Sequence, residues 1–516
     1  MTRIPEEPSN LPGRTATVPL SKAVEALGAQ ARVRVTGVRS GARGHVIARA
    51  LSAGHGPVLA VAADEEAADA LADDLAFFLG GAGTRERPVV LRLPDDEAFL
   101  FDELSPNRAV VQERLAALFH LRAGTASLKA LVISARGLAR KQLPVARLDA
   151  LTETIRKGQS VDRDVLARRL VERGFQSAPV VEDAGTFSVR GGLLDVWSPA
   201  ATKPARLEFF GDEVESIKSF DPESQRTIEE LKELALCPAT ELLFTDEGKK
   251  RARAAALEAA DAVNRPTTKT RELLDAIAQG VPAVGLDAVM PRLHPEGLAP
   301  LSTYLDVMAK KPLLFVDDPL AVQRALEEFD GDLGRAFSAA RSRGEIALDP
   351  REHYLAPKVA LTGLDGRATL ESLGLYLRDA GPEPLQLSLE STTGLREAIV
   401  SHHGEDGALS PLVEKLRNWS DTGLVTAIAC GSVGGADKLK RLLLDRNTMV
   451  KVHAEPFPSS VEALRDPSVW AHLFPGDLSG GFVDRDVALA VLSDEEIFGA
   501  RQWRRARARR IDPSLL

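Results

Sequence analysis

The sequence predicts an α/β protein, with a mostly parallel sheet interrupted by a small α+β insertion and followed by a smaller, separate α/β domain. Three observations carry that class. Short apolar runs alternate with helical segments through the first 147 residues. From about Leu148 the pattern changes to closely spaced strand-like segments joined by tight turns. Near Leu375, strand and helix patterns resume over a stretch the size of a small domain. Strands that alternate with helices point to parallel pairing, whereas strands separated only by turns point to antiparallel pairing.

Along the chain, ARVRVTGV reads as a strand and HVIARALSA as a helix. PVLAVAA is a second strand, followed by an acidic helix from Asp64 to Gly80. PVVLRLP and ALVISA add further apolar runs around a helix at Arg108–Leu121. A polar helix at Arg163–Gly174 then leads into FSVRGG, LLDVWS, ARLEFF and VESIKSF, read as strands of the insertion. An Ala-rich helix from Lys249 to about Val263 restores helix-sheet character, and the runs AVGL, LLFVDD and KVALTGL alternate with helices after it. In the last domain LQLSL, GLVTAIAC and MVKVHAE read as strands around helices that begin near Leu409 and Asp437. GGFVDRDVALAVLSDEEIFG reads as a strand pair ending in a turn, followed by the basic run RQWRRARARR. The expected boundaries are 1–147, 148–236, 237–374, 375–499 and 500–516.

At 516 residues the chain is long enough for three or four domains. Hydrophobic content of 44% with 27% charged residues excludes disorder along the whole chain. No apolar run is long enough to cross a bilayer, and the start MTRIPEEPSNLPG lacks the regions of a signal peptide. Cys237 and Cys430 are the only cysteines, so a disulfide framework is not expected and a cytoplasmic location is. A formal charge of -9 argues against a surface given over to nucleic acid while leaving room for a local basic patch.

VTGVRSGARGH stands where a strand-turn-helix phosphate loop could sit. Such a loop needs glycine-rich backbone, a lysine for the phosphates and a hydroxyl for magnesium. Gly37, Gly41 and Gly44 are loosely spaced, Arg43 replaces the lysine, and Gly44 stands where the hydroxyl belongs. Arginine does not substitute for that compact ammonium. The loop therefore reads as a degenerate remnant kept for packing, and the chain as non-catalytic, with no cofactor or metal of its own. His402-His403 and the two cysteines make no zinc spacing. The acidic runs Asp64–Glu66, Asp95–Glu97 and Asp317-Asp318 read as helix caps and solvated turns rather than metal ligands.

The residues from Gly185 to Ile228 look more like a docking surface. Alternation sends Phe187 and Val189 to one side and Arg190 to the other, before Gly191-Gly192 makes a tight backbone feature. Leu193, Leu194, Val196 and Trp197 form an apolar stretch interrupted by Asp195. Phe209 and Phe210 follow Arg206 on the next strand and must face opposite ways, so one packs and the other is available. An exposed phenylalanine beside arginines has the composition of an interface hot spot. The plainer alternative pairs Arg190 or Arg206 with Glu208, Asp212 or Glu213.

The pieces GQSVDRDVLARRLVERGF, VVEDAGTFSVRGGLLDVWSPA and ARLEFFGDEVESIKSFDPESQRTI closely resemble the UvrB-homology module of bacterial transcription-repair coupling factors. The resemblance extends upstream through LRLPDDEAFLFDELSPNRAVVQERLAAL and downstream through GDLSGGFVDRDVALAVLSDEEIFGARQWRRARARR. It implies a degenerate helicase-type (RecA-like) lobe, split by an insertion that is the counterpart of the domain by which UvrB binds UvrA. Carried over by position, the UvrA-contacting residues are Arg190, Arg206 and Phe210. The resemblance also implies that ATP and magnesium, RNA polymerase and double-stranded DNA are met by other parts of a longer parent, an ATP-dependent DNA translocase. A further implication is an intramolecular contact between this region and the parent's C-terminal domain. The runner-up reading is a DNA-binding or autoregulatory module using Arg32, Arg34, Arg39 and Arg43, or the tail residues Arg501, Arg504, Arg505 and Arg507.

Overall fold

The computed structural model describes residues 17–95, 101, 106–374, 381–401 and 409–499. The chain divides into two compact units, Ala50–Ala368 and a second that joins Met1–Arg49 to Thr369–Leu516.

In the first unit four parallel strands lie in the order Leu313–Asp317, Val58–Ala62, Ala130–Ser134, Val90–Leu93. The two central strands are buried at every residue, as expected of parallel strands covered on both faces. Leu59, Val61, Leu115, Leu118, Ile133, Tyr304 and Leu326 belong to the core between strands and helices. Asp64 caps the helix Glu65–Phe78 by accepting from the Ala67 N–H at 2.7 Å, and Asp318 accepts from Ala321 at the start of Pro319–Ser342. These carboxylates satisfy the orphan donors of a helix start. Asp95 departs from the solvated turn expected of it. It is buried and accepts from Arg136 Nε at 2.8 Å and Arg140 Nη1 at 3.1 Å.

Glu241 anchors the same network. Its carboxylate accepts from Arg114 Nε at 3.0 Å, Arg114 Nη2 at 2.7 Å and Arg140 Nη2 at 3.2 Å. Burial opposes its ionisation, but Arg114 and Arg140 outweigh that and bring its pKa down to about 2.

The insertion is a six-stranded sheet in the order Thr227–Leu231, Glu213–Phe220, Ala205–Phe210, Leu193–Val196, Thr186–Arg190, Gln176–Ser177. Every pairing is antiparallel except the short one between Gln176–Ser177 and Thr186–Arg190. The helix Arg163–Glu172 contributes Leu166 and Leu170 to a core with Phe187, Leu194, Val196, Leu207, Val214 and Ile217. A separate two-stranded ribbon pairs Glu153–Arg156 with Glu233–Leu236. The four expected strands are present. Thr227–Leu231 escapes a hydrophobicity reading because four of its five residues are exposed.

Two apolar runs fold differently from the strand-like reading. AVGL runs into the short helix Leu286–Val289, and KVALTGL forms the helix Pro357–Thr362. Proline at the first helical position suits the latter, since its fixed φ is helical and its missing N–H has no partner to lose. LLFVDD is the strand Leu313–Asp317.

In the second unit Leu385–Gln386, Arg32–Thr36 and Thr369–Ser372 are parallel neighbours in that order. A mixed six-stranded sheet runs Leu389–Ser391, Phe482–Asp484, Leu489–Ser493, Val425–Cys430, Ala471–Pro475, Val450–Val452. The helices Thr393–Ser401, Ser410–Asp421 and Val433–Leu444 pack on it around Trp419, Leu416, Leu439 and Leu473. The expected pair in GGFVDRDVALAVL is Phe482–Asp484 against Leu489–Ser493, but it ends in the helix Asp494–Phe498 rather than a turn. Ser493 and Glu496 form a reciprocal capping box there. The architecture is thus the expected one: parallel α/β of helicase-lobe type, an antiparallel insertion and a smaller α/β sheet.

Candidate protein-docking face

Register places Arg190, Asp195, Arg206, Glu208 and Lys218 on one face of the insertion. Arg190 lies opposite Leu193, which lies opposite Glu208; Ser188 lies opposite Asp195, which lies opposite Arg206; and Arg206 lies opposite Lys218. Residues directly opposite one another, and those two apart along a strand, share a face. Phe210 therefore belongs with Glu208 and Arg206, whereas Phe209 turns the other way and packs against the insertion core. Phe210 is 80% exposed. It immediately precedes the hairpin at Gly211, where φ is 61°. The neighbouring hairpin turns at Gly191, where φ is 57° and whose carbonyl accepts from Arg163. Both turns need the left-handed backbone that glycine enters without a Cβ penalty.

The expected choice between Phe209 and Phe210 is resolved in favour of Phe210 as the available ring. The expected ion-pair partners are not the observed ones. Both arginines converge on Asp195, which is 1% exposed. Arg206 donates from Nε to Oδ1 at 2.7 Å and from Nη2 to Oδ2 at 2.8 Å. Arg190 donates from Nη2 to Oδ2 at 2.7 Å. The Arg206 guanidinium also sits 4.8 Å from the centroid of buried Phe220, within cation–π range. Its pKa is raised, first by the hydrogen bonds to Asp195. Glu208 pairs instead with Lys218 at 2.8 Å and accepts from Ser216. Those hydrogen bonds, Lys218 first, hold its pKa below the usual range. The sequence signal for Asp195 was a lone charge inside the apolar run LLDVW.

The remaining candidates lie elsewhere. Gly37, Gly41, Arg43 and Gly44 occupy the turn between Arg32–Thr36 and the first part of the helix Ala42–Ser52. The Gly41 N–H donates to the Gly480 carbonyl at 3.2 Å, and Arg43 Nε donates back to Ser40 O at 3.0 Å. A methyl group at Gly41 would lie 2.4 Å from Gly480 O and 2.7 Å from the Leu478 side chain. Overpacking of this kind costs about 1–3 kcal/mol, so Gly41→Ala is expected to lower the thermal unfolding midpoint. An unchanged midpoint would mean that the 478–480 segment yields freely.

Arg32 pairs with Glu371 at 2.8 Å, and Arg34, which is buried, lies 3.5 Å from the same carboxylate. Arg39 is exposed. Arg501, Arg504, Arg505 and Arg507, like His402 and His403, lie outside the described residues. Cys237 and Cys430 are buried and form no disulfide, and burial pushes the Cys237 thiol up to about 11. Among the described residues no group of three or more His, Cys, Asp or Glu is arranged to hold a metal, and no helix is long and apolar enough to cross a membrane.

Residues 154–242, which contain the whole charged face, match the model of the UvrB interaction domain. A transcription-repair-coupling factor of Myxococcus xanthus is 51% identical over 496 residues, covering 96% of this chain and 41% of that protein. The one from Mycobacterium bovis is 29% identical over 472 residues, covering 88% of this chain and 36% of the relative. The Escherichia coli protein is 29% identical over 307 residues, 59% of this chain. The chain thus spans about two-fifths of the length of the relatives it matches most fully. Over nearly all of its residues the chain is homologous to the N-terminal portion of bacterial transcription-repair-coupling factors.

Proposed function

We propose that this region recruits UvrA through the charged face of the insertion, with Phe210 as apolar anchor and Arg190 and Arg206 as partners for acidic groups. The observation that carries the reading is the exposure of Phe210 on the same face as the two arginines. An aromatic ring left in water by the free chain gains most from a partner's pocket, and aromatic and arginine anchors dominate many interfaces. In the longer protein, the reading places an ATP-driven motor on double-stranded DNA and RNA polymerase in other segments. The face described here then links removal of lesion-stalled polymerase to nucleotide excision repair in the cytoplasm. The domain division at 148–236 belongs to the same proposal, because it isolates the docking sheet.

Titration of the chain with purified UvrA tests it. Phe210→Ala is expected to weaken association by about 2 kcal/mol, a hot-spot loss, without changing the unfolding midpoint. Association equal to that of the parent chain would count against the face.

A further inference from the structure

We infer, on the docking reading above, that Asp195 is a positioning residue: one buried carboxylate that sets both arginines of the face in the geometry that receives carboxylate side chains of the partner. Asp195 lies on the strand between those carrying Arg190 and Arg206. It accepts three hydrogen bonds from the two guanidinium groups, at 2.7, 2.8 and 2.7 Å. With one carboxylate between two guanidinium groups, the trio carries a surplus of one positive charge. Asp195 also screens two like charges that would otherwise repel across the strand between them.

The asymmetry of exposure says where the surplus is presented. The Asp195 side chain is 1% exposed, that of Arg206 18% and that of Arg190 48%. The anion sits beneath and the cations toward solvent. Arg206 uses two donors, Nε and Nη2, on both oxygens of Asp195. That is the planar fork that arginine offers and lysine lacks. Holding two long side chains in one rotamer before the partner arrives removes an ordering cost from association. A planar donor array with net positive charge, beside an exposed phenylalanine, selects an acidic protein surface with an apolar pocket.

The test uses UvrA titration with thermal unfolding of each variant. Asp195→Asn keeps the shape and removes the charge; it is expected to weaken association about tenfold or more. Arg206→Ala is expected to weaken it similarly, and the two together by little more than either alone, because they disable one unit. Asp195→Asn combined with Phe210→Ala is expected to multiply the separate losses. Arg206→Lys covers the case in which Asp195→Asn does not fold, since it retains charge and loses only the fork, and it too is expected to bind weakly. Parent-like binding by folded Asp195→Asn or by Arg206→Lys would overturn the positioning role, as would fully multiplicative losses from Asp195→Asn and Arg206→Ala. If Phe210→Ala and Arg206→Ala both leave association intact, the UvrA reading itself falls.

Discussion

A chain carrying both Phe210→Ala and Arg206→Ala is expected to show no detectable association with UvrA while keeping its fold. Phe210 is 80% exposed, so its truncation removes little from the folded core. Arg206 is more embedded, through Asp195 and the ring of Phe220. Its loss leaves Asp195 with Arg190, a change that lowers stability without dismantling a core built from Leu166, Phe187, Leu194 and Leu207. Each truncation removes a different kind of contact, apolar insertion in one case and charge-assisted hydrogen bonding in the other. Hot-spot losses of about 2 kcal/mol or more each carry a micromolar complex beyond ordinary detection. Circular dichroism and the unfolding midpoint establish the fold, and a pull-down or titration reads the binding. A folded double variant that binds as the parent does defeats the docking assignment.

The largest effect on stability is expected at Glu241. Arg114 is fully buried, and it shares the Glu241 carboxylate with Arg140. Glu241→Ala leaves two guanidinium groups without their common anion, and removing one member of a buried ion pair costs about 3–5 kcal/mol. That is a large share of the roughly 5–15 kcal/mol available to a domain. The pH dependence follows from the depressed pKa. The folded-state value near 2 lies below the ordinary glutamate value of about 4.5, so the unfolded chain binds the proton first. Glu241 contributes its stability above about pH 4.5, and that contribution fades as pH falls toward 2. Urea titrations at neutral and acidic pH are expected to show a lower midpoint for Glu241→Ala at neutral pH and a smaller gap from the parent in acid. Coincident midpoints at neutral pH would remove Glu241 from the account of stability.

Much of this is legible from local pattern, and each departure has its own physical cause. FSVRGG and ARLEFF announce strands because period-two alternation survives in them, and the Phe-Phe pair announces that one ring must turn outward. Which charges meet is a different question. Arg190 and Arg206 reach Asp195 only because three strands pair in one particular register, and sequence proximity favoured Glu208, Asp212 or Glu213 instead. KVALTGL shows the limit for short apolar runs, which carry no period long enough to separate strand from helix. Thr227–Leu231 shows the opposite limit: an almost wholly exposed edge strand has no apolar face to announce it. The acidic runs at Asp64 and Asp318 are the helix caps their sequence predicts, because a local cap decides the outcome there. Asp95 differs because its partners Arg136 and Arg140 lie more than forty positions away in the chain.

The loop at Gly37–Gly44 is tied to distant backbone of its own unit. Its Gly41 N–H is already spent on the Gly480 carbonyl, and Arg43 turns back onto Ser40. The turn thus owes its form to contacts within its own unit, and the tight approach of Gly41 to the 478–480 segment leaves no room there for a side chain.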